Sequence, residues 1–79
     1  MTTCWPAHDI LWNAGELGCG ELVMELRMKM KAAPGAVFKI IARDVGAIED
    51  LPAWCRMTGH ILLHHDLPCF AFWIQARTP

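Results

Sequence analysis

No run in this sequence approaches the ~18–20 apolar residues that a membrane-spanning helix requires. The opening, MTTCWPAHD, lacks a basic region followed by a long apolar block, so no signal peptide is expected. Without a signal, a reducing cytoplasmic setting is expected. The cysteines at 4, 19, 55 and 69 then read as free thiols before they read as disulfides. There is no Cys-x-x-Cys pair, which removes support for a structural zinc site or a thioredoxin-like couple. No metal site and no cofactor are expected. A basic surplus is also missing: seven Lys and Arg stand against eight Asp and Glu, for a net charge of −1. Strong nonspecific nucleic-acid binding needs such a surplus or a basic face, so direct nucleic-acid partners are not expected. Internal repeats, low-complexity tracts and linkers are absent too.

What is present is short and greasy. The 79 residues suffice for one domain, 1–79, since a chain of this size buries only ~60% of its unfolded surface. Residues 1–7 read as a loose N-terminal segment. The hydrophobic fraction is 54% and the mean hydropathy +0.27, so part of the apolar complement is expected on a surface that meets a partner.

The pattern along the chain predicts strands over 8–13, 36–43, 60–66 and 69–76. Residues 14–18 form a glycine-punctuated loop. A first helix is predicted from Gly20 or Glu21 to Ala32, with Leu22, Leu26 and Met30 on one face and Val23 and Ala33 extending it. Ala33-Pro34-Gly35 ends it. A second helix is predicted to be capped by Asp50, to carry Leu51 and Pro52 in its first turn, and to close at Gly59. The order β-α-β-α-β-β, ending in a hairpin, implies an α+β two-layer sandwich: a mixed four-stranded sheet with two helices on one face.

Cys19 is the residue with chemical potential. It lies just ahead of the first helix, where unpaired first-turn amides and the helix dipole favour a thiolate over the ordinary pKa of ~8.5. Gly18 and Gly20 flank it, and the Glu21 carboxylate two residues on partly opposes ionisation. The competing reading is a small apolar residue buried in a turn. Cys55 reads as core, Cys4 as part of the loose terminus, and Cys69 as one face of the last strand. On a regular strand His60 and His64 share a face and His65 points away, which suits solvated histidines better than a metal. Met24 and Met28 fall opposite the Leu22–Leu26–Met30 face. They are either an adaptable docking surface or a strip covered by another subunit or by the N-terminal segment. Arg27 and Lys31 flank them and suit acidic partners.

In this arrangement the sequence resembles the TusA (SirA-like) sulfur-carrier family over residues 10–77. Leu17-Gly18-Cys19-Gly20-Glu21-Leu22-Val23-Met24 falls where that family has Gly-Leu-x-Cys-Pro-x-Pro at the start of its first helix. Gly20 and Leu22 stand in the places of the two prolines, Glu16 in that of the preceding glycine, and Asn13 in that of a common aspartate. The second half is closer: Pro34-Gly35, then Asp44, then Asp50-Leu51-Pro52-Ala53-Trp54-Cys55 and Gly59-His60.

The resemblance implies a fold like the C-terminal domain of translation initiation factor three. It also implies sulfur transfer, with Cys19 as the persulfide carrier between a donor of the cysteine-desulfurase type and an acceptor protein. A non-catalytic interaction module that has lost sulfur transfer is the alternative. An RNA-binding domain, by fold analogy, is disfavoured by the charge balance.

Overall fold

The computed structural model describes residues 7–78, with the side chain of Cys19 outside that description. The expectations for Cys4 and, Ala7 apart, for the N-terminal segment fall outside the described residues. The elements run β1 (Ile10–Gly15), α1 (Cys19–Ala32), β2 (Val37–Ala42), α2 (Ala47–Thr58), β3 (Ile61–Asp66), a 3₁₀ turn (Leu67–Cys69) and β4 (Ala71–Gln75). The sheet order is β1-β2-β4-β3. β1 and β2 are parallel and the other two pairings antiparallel. This is the expected mixed four-stranded sheet with two helices. Among the described residues no helix is long and apolar enough to cross a membrane.

One face of the sheet makes the core. Phe38, Ile40 and Ala42 of β2 alternate inward, as do Phe72 and Ile74 of β4, and all five are buried. Against them lie Leu22, Leu26 and Met30 from α1, then Ala47, Leu51, Trp54 and Cys55 from α2. Period-two strands thus meet helices with apolar residues one turn apart. On the other face Trp73 is only 2% exposed. Lys39 Nζ stands 5.1 Å above its ring and His64 lies 5.4 Å away.

Besides shifts of one or two residues at several element ends, such as β1 running to Gly15 instead of ending at Asn13, three expectations change. Helix α2 starts at Ala47, not beside Asp50. The amides of Ala47, Ile48 and Glu49 donate to the carbonyls of Asp44, Val45 and Gly46 (3.0, 3.3 and 3.2 Å), winding a tight turn into the helix. Asp50 N–H donates to Gly46 O at 2.9 Å, so Asp50 is inside the helix and caps nothing. The reason is Ala47: fully buried, it extends the Leu51–Trp54–Cys55 face back by one turn, and that packing tolerates Pro52 inside the helix.

The second difference is Cys69. It lies in the 3₁₀ turn, exposed, and β4 starts at Ala71 after Phe70 takes φ 55°. Cys69 is therefore not part of a sheet face.

The third concerns the histidines. The β3–β4 register shifts between Leu62 and His64, so Leu62 pairs Ile74 and His64 pairs Trp73. The extra residue, Leu63, reverses the alternation. His64 joins Trp73 on the face away from the helices, whereas His60 stacks near Trp54 (5.0 Å) on the helix side. His60 and His64 do not share a face.

Leu26 is fully buried at the centre of the helix–sheet contact. Leu26→Ala is expected to cost about 2–5 kcal/mol, read as a lowered urea midpoint at unchanged slope.

Candidate functional site

The N-terminus of α1 is placed by a three-residue connection from β1. Asn13 Oδ1 accepts the Gly15 amide at 2.9 Å, which suits the left-handed turn Gly15 makes at φ 63°. Gly15 O accepts the Arg43 amide (2.9 Å), and Leu17 N–H reaches back to Ala14 O (3.2 Å). The helix start is thereby tied to the ends of both β1 and β2. Gly18 is the N-cap, extended at φ −67° and ψ 159°, and it supplies no side-chain cap. Leu22 N–H donates to Gly18 O at 2.9 Å and closes the first turn.

Cys19 is thus the first residue of the helix itself, one position further in than expected. The amides of Cys19, Gly20 and Glu21 have no carbonyl a turn earlier to donate to. Together with the helix dipole they make a neighbourhood that favours an anion. Gly20 is in open space: a Cβ built there meets nothing within 4 Å, and its φ is not positive. Neither a close approach nor an unusual backbone angle demands glycine at this position. Glu21 is exposed.

Of the four side chains expected to serve docking, Met24 and Met28 are 68% and 70% exposed on the solvent side of α1. Arg27 and Lys31, one row round the helix, line a cavity of about 660 Å³ between α1 and α2. Trp54, Met57, His60 and Arg77 form its other side. A shallower hollow of about 300 Å³ continues from it to Gly20, beside Cys19, and shares Trp54 and Met57. The structure therefore brings Gly20, Arg27 and Lys31 onto one groove and leaves Met24 and Met28 beside it. Met57, 82% exposed, was missed in the sequence reading, although its spacing of three from Trp54 puts the two on neighbouring rows.

The other thiols differ from Cys19 in setting. Burial pushes Cys55 up to about 11, with Arg56 opposing. Cys69 is exposed, but a hydrogen bond with Asp66 and then that residue's charge raise its pKa, against the opposing charge of Lys39. His60 Nδ1 accepts the Arg77 amide at 3.0 Å, and burial followed by the Arg77 charge lowers its pKa. Among the described residues no group of three His, Cys, Asp or Glu side chains converges to hold a metal ion.

A two-layer sandwich with a cysteine opening its first helix defines a class of small α+β thiol proteins. Within that class the assignment is specific. The family model described as "Sulfurtransferase TusA" matches residues 13–75. "Sulfur carrier protein TusA" of Pseudomonas putida is 35% identical over 98% of this chain and 98% of its own length. The protein of the same description from Pseudomonas paraeruginosa is 33% identical over 87% of this chain and 91% of its own. The Pseudomonas entomophila protein is 34% identical over 89% and 91%. The chain belongs to the TusA family.

Two outcomes follow from these environments. Gly20→Ala is expected to raise stability by about 0.5–1 kcal/mol, measured by urea denaturation, because the methyl group meets no neighbour and restricts the unfolded chain. For Cys55, the folded pKa is raised. Above about pH 9 the unfolded chain releases the thiol proton and the folded chain keeps it. Stability is full below that pH and falls up to about pH 11, by roughly 2–3 kcal/mol in all. Comparing wild type with Cys55→Ala across that range isolates this loss.

Proposed function

We propose that this TusA-family chain is a cytoplasmic sulfur carrier that holds persulfide sulfur on Cys19. The observation that carries the reading is the position of Cys19 as the first residue of α1, in front of first-turn amides that no side chain caps. The names of its relatives support it. The transfer balances without an oxidant. The Cys19 thiolate attacks the terminal sulfur of a donor persulfide, the new Cys19 S–S bond forms, and the donor's S–S bond breaks. The donor leaves as a thiolate, and the proton stays on the transferred sulfur. A second thiolate, on the acceptor, removes that sulfur by the same exchange.

Such a relay docks a donor of the cysteine-desulfurase type and then an acceptor on overlapping surface. Met24 and Met28 offer adaptable apolar contact beside the site. Arg27 and Lys31 add positive charge suited to acidic partner surfaces. Gly18 and Gly20 leave the flanks of Cys19 free of side chains, and Glu21 supplies the one charge in that first turn. In place of the family's prolines stand an open glycine and a fully buried leucine, Leu22. The helix start is thus held by the Gly15 turn and by Leu22 in the core.

Incubation with a cysteine desulfurase and cysteine, or with polysulfide, is expected to add one sulfur atom (about 32 Da) to the wild type by intact mass. Cys19→Ala is expected to show no such adduct. No adduct on the wild type, or an equal one on the variant, removes the carrier and leaves a TusA-like interaction module without sulfur transfer.

A further inference from the structure

We propose that the cavity between the C-terminal ends of α1 and α2 binds a small organic anion, a carboxylate carried on a planar apolar body. Its volume, about 660 Å³, falls in the ~300–1,000 Å³ range of small-molecule sites. The chemistry of its wall is one-sided. Arg27 and Lys31 come from α1 and Arg77 from the chain after β4, and among the described residues no carboxylate lines it.

One bland role for these cations is to offset the two helix C-termini nearby, but each helix end contributes only about half a negative charge. Three cations exceed that, and the cavity stays positive.

The arrangement beneath the charges suits a planar body. Trp54 lies low in the cavity, only 9% exposed, while Met57 forms a polarizable edge. The His60 ring lies 5.0 Å from that of Trp54 at 33°. Its Nδ1 is occupied as an acceptor by the Arg77 amide at 3.0 Å, which leaves the ring proton on Nε2 as a donor. The Arg77 side chain runs across Gly59. Its Cδ passes 3.3 Å from where a Cβ on Gly59 would stand, a space open only because residue 59 is glycine at φ 89°. An indole and a half-buried, neutral imidazole thus line the inner part of one volume, under a rim of three exposed cations. A protein segment lying on the surface would meet the rim and not this floor. Cys19 takes no part, so this site and the sulfur-carrier reading fail independently.

Titration of the ¹⁵N-labelled protein with 2-naphthoate, followed by amide shifts, tests the site. Saturable binding with a Kd of about 1 mM or tighter is expected, with shifts centred on Lys31, Thr58, His60 and Arg77. The neutral isostere 2-naphthamide is expected to bind at least about fivefold more weakly, and Arg77→Gln to lose a similar factor. Arg56→Gln, on α2 but outside the cavity, is expected to bind as the wild type does. If Arg77→Gln loses its folded spectrum, Lys31→Gln takes its place in the comparison. Absence of saturation, equal binding of acid and amide, unchanged binding in the charge variant, shifts centred elsewhere, or tighter binding of hexaglutamate than of 2-naphthoate overturns the proposal.

Discussion

Leu22, Leu26 and Met30 are driven against Phe38, Ile40, Phe72 and Ile74 by the removal of apolar surface from water, at roughly 1.5–3 kcal/mol for each large side chain. The position of Cys19 at the head of α1 follows from that contact. It fixes the axis of α1 over the sheet and therefore where the helix begins. The short connection from β1 reaches it through Gly15 in the left-handed region. Cys19 has its place because three residues one, two and three turns further on are in the core. Replacing the family's second proline by Leu22 exchanges a backbone restraint for one more core anchor in the same turn.

The same packing makes the groove. α1 and α2 both press on the sheet, and Trp54, low between them, keeps their solvent-side rows apart. What results is a surface with two kinds of chemistry along one furrow. Near Gly20 it is shallow and mostly apolar. Towards the helix C-termini it deepens and becomes basic. Cys55, one residue from Trp54, is silenced by the burial that builds the furrow.

Much of this was readable in the residues. The spacing of Leu22, Leu26 and Met30 identified α1 and its inner face, and the family resemblance rested on residues that the family model also spans. The start of α2 was not readable, because Pro52 and Asp50 mimic a helix beginning, whereas Ala47 is too small to announce itself as core. The place of Cys69 was hidden for a similar reason. Its neighbours alternate like a strand, but Phe70 turns to a positive φ and ends the pattern.

The sequence by itself determined the element order, the inner faces of both helices and the candidate thiol at a helix start, because these depend on local periodicity and on residues a turn apart. Tertiary structure alone decided which side of the sheet each histidine takes, because a single extra residue in β3 reverses the alternation and only the pairing partner reveals it. It alone also brought Arg77 and His60, 17 positions apart, to the cavity wall opposite Arg27 and Lys31. Charges so distant in the chain share a site only once the sheet has closed.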